Sequence, residues 1–269
     1  MSDMPPRTNL ERLLHERGIE TIASLELFES IDSTNDHLMA AQPTAVGCAA
    51  VCLARAQSAG RGRRGRTWVS PSGAGIYLSI GWTFDSVPRE LANLSLAVGV
   101  MIKRGLQTLG ADRIQLKWPN DVLLDHGKLG GVLIEMRTVP AGAYVVIGVG
   151  LNLQVPDETT QRVQALGGLP PRDLRASGIT TVDFMVVSAT IIEAICDGLA
   201  IYANNGFDPF RDEWLTADGL RGAWVEWSTG DQRCTGVARG IGDDGALLVE
   251  HEGRLDRLVA GEVSLRKVA

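Results

Sequence analysis

The chain has 269 residues, a formal net charge of -6 and 45% hydrophobic content, which excludes a disordered chain and a protein that holds nucleic acid through its overall field. No uninterrupted apolar run of roughly 18 residues occurs, and "MSDMPPRTNLERLLHERG" lacks the basic, apolar and small-residue order of a signal peptide, so a cytoplasmic protein without a membrane partner is expected. Cys48, Cys52, Cys196 and Cys234 are too few for a disulfide scaffold, and the histidines show no metal-ligand spacing, so no protein-held metal is expected.

Residues 10 to 18 read as a short helix ending at Gly18, and "SLELFES" alternates like a strand. "IDSTNDHLMAA" offers Ser33 or a neighbour as the N-cap of a second short helix, and "VGCAAVCLARAQ" is an apolar run suited to a buried strand. "GIYLSIGWTF" is a further strand, and residues 88 to 110 repeat Leu91, Leu94, Val98, Ile102 and Leu106 at helical spacing. "RIQLKW", "GVLIEMR" and "AYVVIGVGLNL" read as three strands, with "DVLLDHGKLGG" as the arm and turn joining the first two. A Pro- and Gly-rich stretch from 155 to 180 precedes helices at about 181 to 204 and 208 to 217. From residue 222 the chain switches to short alternating runs cut by "TGD", "DDG" and "EGR", the pattern of a small antiparallel barrel. A main domain over 1–220 and a second over 221–269 are expected.

The densest chemistry lies in "AGRGRRGRTWVSPSG", residues 59 to 73, with four arginines and three glycines between Gly60 and Arg66. Gly60, Gly62 and Gly65 match G-x-G-x-x-G, but Pro71 and Gly73 deny the helix that a dinucleotide fold needs there. The remaining readings are a loop that closes guanidiniums and bare backbone N–H groups on a phosphate, or a solvated basic patch. "KWPNDVLL" and "GKLGGVLIE" flank a tight turn, so Lys117, Asn120, Asp121 and Lys128 can converge at one sheet edge.

In this order "STN", "QSAGRGRRGRTW", "KWPND", "GKLGGVLIE", "GVGLN" and the closing "GEVSLR" resemble the biotin protein ligases, over about residues 25 to 269. The resemblance implies an α+β fold, a central mixed sheet packed with helices as in class II aminoacyl-tRNA synthetases and biotin synthetases, with a small SH3-like barrel at the C-terminus. It implies that ATP and biotin are converted to biotinyl-5'-AMP, with Mg²⁺ accompanying ATP, and that biotin passes to a lysine of the biotin carboxyl carrier protein of a carboxylase. By resemblance Ser33, Thr34, Asn35, Gln57, Gly60 and Arg61 serve the biotin head group. Gly62, Arg63 and Lys128 then follow its chain to the carboxylate, and Arg63, Arg64, Arg66, Trp68, Asn120, Lys128 and Asn152 serve ATP. Lys128, Arg63 and Arg61 are the expected catalytic charges, and Asp121 the expected acceptor of the incoming lysine's proton.

Gly130 stands where the family commonly has alanine. Too little chain precedes residue 25 for the winged helix-turn-helix of some members, so neither a repressor role nor a nucleic-acid partner is expected. The competing readings are a lipoate- or octanoate-type acyl transferase of the same fold and a nucleic-acid-binding module using the arginine loop. The sequence leaves the oligomeric state open, a homodimer included.

Overall fold

A seven-stranded sheet is followed by a five-stranded one, and the computed structural model describes residues 6–88, 91–166, 169–179, 182–229, 232–259 and 264–267. Helix α1 (Pro6–Glu16) leads into β1 (Ile22–Phe28), α2 (Thr34–Ala40) and β2 (Ala49–Ala54), with β1 and β2 parallel. β3 (Gly75–Phe84), α3 (Leu91–Thr108), β4 (Ile114–Lys117), β5 (Asp121–Leu124), β6 (Gly127–Val139) and β7 (Gly142–Asn152) follow. The strand order is β1-β2-β3-β7-β6-β5-β4, antiparallel beyond the first pair. The sheet is mixed, as expected.

β2 and β3 are buried at every position, which is why they read as near-continuous apolar runs. One face of the sheet packs on helices: Ile76, Leu78 and Ile80 of β3 and Val145, Ile147 and Val149 of β7 share a core with Leu94, Val98 and Ile102 of α3. Helix α5 (Phe184–Asn205), long and apolar enough to cross a membrane by composition, buries Ile191, Ile195 and Leu199 in that same core. Helix α6 (Asp208–Ala217) adds Phe210 and Trp214. The alternate positions of β3 and β7 face away from these helices, and the register pairs Ser79 with Gly148 and Tyr77 with Gly150.

The joining arm differs from the sequence expectation. Residues 121–124 form a strand of their own, and β6 starts at Gly127. Asp125 (φ 47°) and His126 (φ 63°) make the two-residue turn between them. Both central residues lie at positive φ, which matches strand twist in a hairpin of this length, and the usual Asn-Gly signal is missing. A helix α4 (Asp157–Ala165) also forms inside the Pro- and Gly-rich stretch, with Asp157 and Glu158 in its first turn beside the positive helix end.

The C-terminal sheet contains β8 (Trp224–Thr229), β9 (Gln232–Ile241), β10 (Leu247–His251), β11 (Arg254–Leu258) and β12 (Ser264–Lys267), in the antiparallel order β11-β10-β9-β8-β12. Of the "GEVSLR" signature, residues 261–263 lie outside the described residues and Ser264–Arg266 fall in β12. The turn between β9 and β10 reaches back to the main sheet, where the buried indole of Trp118 donates from Nε1 to the carbonyl of Gly245 at 2.9 Å.

Candidate active site

The face of the sheet away from the core helices carries a lane of glycines. Gly131 of β6 pairs with Gly150 of β7, and Leu133 with Gly148. A Cβ on Gly148 would lie 2.3 Å from Oδ1 of Asn35, one on Gly150 would lie 2.4 Å from the indole of Trp68, and one on Gly131 would lie 3.3 Å from Nζ of Lys128. Three side chains from separate segments therefore rest where ordinary side chains would stand. At Gly148 and Gly150 glycine is required for close approach rather than for backbone freedom, while Lys128 is in tight contact over Gly131.

At one end of the lane, Ser33 caps α2, its Oγ accepting from the Asp36 amide at 3.3 Å. That cap delivers Thr34 and Asn35 to the sheet, both 4% exposed. The Thr34 amide donates to Oε1 of Gln57 at 2.9 Å, and the Thr34 hydroxyl lies 3.1 Å from the same oxygen. Nε2 of Gln57 donates to Ser70 Oγ at 3.1 Å, and Ser70 donates to the Trp68 carbonyl at 3.0 Å. Gly60 lies against these last two groups, because its Cβ would sit 2.4 Å from the Trp68 carbonyl and 2.6 Å from Ser70 Oγ. Arg61 leans over the same end, paired with Asp36 at 2.6 Å and with Glu135.

At the other end, Nη1 of Arg63 donates to Oδ1 of Asn120 at 3.3 Å. Asn120 closes the β5–β6 hairpin, its Nδ2 donating to the Val132 carbonyl at 2.7 Å. Lys128 Nζ lies 2.5 Å from Oδ1 of Asp121, and Lys117 Nζ lies 3.6 Å from Oδ2. Burial pushes the Asp121 carboxyl up, but Lys128 and Lys117 more than reverse this and hold it below the usual carboxylate range. A carboxyl in that state is a poor proton acceptor. Burial lowers Lys117 against the opposing pull of Asp121, and burial with the neighbouring Arg64 lowers Arg63.

The Trp68 ring stands 5.2 Å from Lys128 Nζ, and its Nε1 is buried with no acceptor among the described residues. The arginine loop is folded rather than splayed: Gly62 N–H donates to the Arg66 carbonyl at 2.7 Å around a 3₁₀ turn at Arg63–Gly65. Arg64 and Arg66 are exposed on its outer side. Asn152 donates from Nδ2 to the carbonyls of Lys128 and Arg172, at 3.2 and 3.0 Å, so it braces the segment that carries Lys128.

The sequence reading did not single out Ser79, Ser70, Glu135 or the glycine lane. The lane had a signal, since "GVGLN" places Gly148 and Gly150 two apart, on one face of a strand. Glu135 had only its isolation as an acid within an apolar run.

A glycine lane with a hydrogen-bonded end and a cationic end suits an acid whose far end is neutral and polar. The family model described as the biotin/lipoate A/B protein ligase family matches residues 27–152, and the biotin protein ligase C terminal domain matches residues 225–266. Fold and site thus define a ligase of the biotin and lipoate class. The chain is 36% identical over 245 residues to the bifunctional ligase/repressor BirA of Escherichia coli K12, covering 90% of this chain and 74% of that protein. It is 34% identical over 236 residues to the biotin--[acetyl-CoA-carboxylase] ligase of Paracoccus denitrificans, covering 86% and 96%. The biotin protein ligase of Aquifex aeolicus, solved in complex with biotin and ATP, superposes with a TM-score of 0.76 at 26% identity, covering 91% of this chain and 100% of that one. Within that class, the chain belongs to the biotin protein ligases.

Proposed function

We propose that this chain activates biotin with ATP and transfers it to a lysine of a biotin carboxyl carrier protein. A biotin carboxylate oxygen attacks the α-phosphorus of ATP, the bond to the β-phosphate bridging oxygen breaks, and pyrophosphate leaves. The product is the mixed anhydride biotinyl-5'-AMP. The acceptor amine then attacks the acyl carbon, the bond to the phosphate oxygen breaks, and AMP departs. The observation that carries this reading is the glycine lane, which joins the Thr34–Gln57 network at one end to Lys128 and Arg63 at the other.

Each end has its task. The buried groups of Ser33, Thr34 and Asn35, with the half-buried amide of Gln57, match a ureido ring, which both donates and accepts. Lys128, Arg63 and Arg61 reduce repulsion between two anions as they meet and hold the charge that builds on phosphorus, so the enzyme works by positioning and electrostatics. Trp68, with its unpaired N–H beside Lys128, and Asn120, Asn152, Arg64 and Arg66 serve the nucleotide. Magnesium enters as part of the ATP substrate. Asp121 is assigned here as the counter-ion that aims Lys128 and Lys117, because its lowered carboxyl cannot take up the acceptor's proton efficiently.

We read residues 1–220 as the catalytic unit and 221–269 as a small terminal unit, because α6 ends at Ala217 and the second sheet begins at Trp224. The enzyme is assigned to the cytoplasm, where its ATP is, and a homodimer is compatible with the reading and measurable by light scattering. A lipoate-type activity is disfavoured by the Paracoccus denitrificans relative, whose name specifies biotin. Biotin-dependent exchange of labelled pyrophosphate into ATP tests the reading directly; exchange driven by lipoate or octanoate and not by biotin would overturn it.

A further inference from the structure

We propose that Glu135 is the positioning residue of the head-group end of the site, setting the direction of its hydrogen bonds and the rest position of Arg61 with one carboxylate. The proposal rests on the biotin reading above. Oε2 of Glu135 accepts from Nδ2 of Asn35 at 2.9 Å and also from the guanidinium of Arg61. A carboxylate can only accept, so the Asn35 amide must turn its NH₂ toward Glu135 and its oxygen away. That oxygen meets Ser79 Oγ at 2.6 Å, and Ser79, fully buried, lies 2.8 Å from Thr34 Oγ1.

Ser79 has one proton. With Asn35 Oδ1 offered as an acceptor, Ser79 donates there, its lone pairs receive the Thr34 hydroxyl proton, and the Thr34 amide is left to donate to Gln57 Oε1. Thr34 and Gln57 complete the chain, whose polarity thus traces back to a single charge on β6. Arg61 has Asp36 as a second anion, but Asp36 is more exposed, with a side-chain exposure of 56% against 27% for Glu135. The better shielded partner holds the guanidinium over the head-group end.

Glu135→Gln keeps the size and removes the charge. An amide in that place can donate as well as accept, so Asn35 is free to flip and Ser79 loses its fixed acceptor. The expected result is a rise of about tenfold in KM for biotin, equivalent to ~1.4 kcal/mol, with KM for ATP within about twofold of wild type. In the Asn35→Ala background, Glu135→Gln should raise KM for biotin by less than it does in the wild type, because only its hold on Arg61 remains to be lost. A fully additive double mutant, or an unchanged KM for biotin in the single mutant, would overturn the proposal.

A readout independent of catalysis separates this from the functional reading. In nuclear magnetic resonance spectra of the ligand-free protein, the Asn35 side-chain amide protons should exchange slowly with solvent in the wild type and at least tenfold faster in Glu135→Gln. Equal exchange would overturn the positioning role even if biotin is the substrate. Accelerated exchange in an enzyme that ignores biotin would uphold the geometry and refute the assigned substrate.

Discussion

Lys128 and Asp121 form a pair across the β5–β6 hairpin, Nζ to Oδ1 at 2.5 Å, with the lysine side chain lying over Gly131. The pair is shielded and Lys117 shares the same carboxylate, so the lysine is held in one place before any substrate arrives. Lys128→Ala should lower biotin-dependent pyrophosphate exchange roughly a hundredfold or more, the usual effect of removing one preorganised charge from a developing anion. Circular dichroism should show the fold retained while the thermal midpoint falls, because the shielded Asp121 carboxylate keeps only Lys117 at 3.6 Å. Retention of more than about a tenth of the exchange rate would count against its role.

Gly150→Ala tests the lane. The new Cβ would stand 2.4 Å from Cε2 of Trp68, so the indole must move off the sheet. We expect a large rise in KM for ATP and a red shift of tryptophan emission as the ring gains water. Unchanged kinetics with an unchanged spectrum would show that the ring has a second resting place.

Much of this site could be read from the sequence because its parts are local. Ser33 caps α2 within three residues of its partner Asp36, and the arginine loop closes on itself from Gly62 to Arg66. What escaped notice is long-range: Glu135 reaches Asn35 across 100 positions, and Ser79 reaches it across 44. Neither residue carries a motif, since a serine in a strand and a glutamate in a strand have ordinary surface readings. The β4–β5–β6 region was blurred by strands of four residues, too short to establish a period, and by a turn made from Asp125 and His126 where Asn-Gly is the usual mark.

Asp218 supplies a pH dependence. It is 9% exposed, and burial pushes its carboxyl up to about 6 against hydrogen bonding from the Leu220 amide and the charge of Arg221. The folded state therefore holds this proton more tightly than the unfolded chain, whose aspartates titrate near ~3.9. The stabilisation is present in full below that value and is lost as pH rises through about 6. Asp218→Asn, which keeps the acceptor for Leu220, should raise stability at pH 7.5 by on the order of 1–3 kcal/mol and change it little at pH 4. Urea unfolding at both values checks this; an equal shift at both would exclude titration as the cause.

The arginine loop should act as a cover over the product. Arg64 sits at φ 57°, a conformation uncommon outside glycine, and it is exposed together with Arg66. Trypsin should cut the empty enzyme near Arg63 or Arg64, and biotin with ATP should protect it, with weaker protection by biotin alone. Arg63→Gly should release more biotinyl-5'-AMP into solution per pyrophosphate formed. Equal cleavage with and without both substrates, or unchanged retention in the variant, would refute the cover.

The glycine lane also makes the sheet a ruler. Gly148 and Gly150 are separated by two residues of one strand, a rise of about 6.8 Å fixed by the backbone repeat. One mark carries the head-group amides and the next lies beside the lysine, so the acid that fits is the one whose carboxylate arrives at Lys128 when its ring is seated at Asn35. On the reading proposed above, an acid whose chain differs by one methylene should meet the lysine out of register. On that reading the spacing of the two marks is written in the pitch of a β-strand, which no rotamer change can adjust.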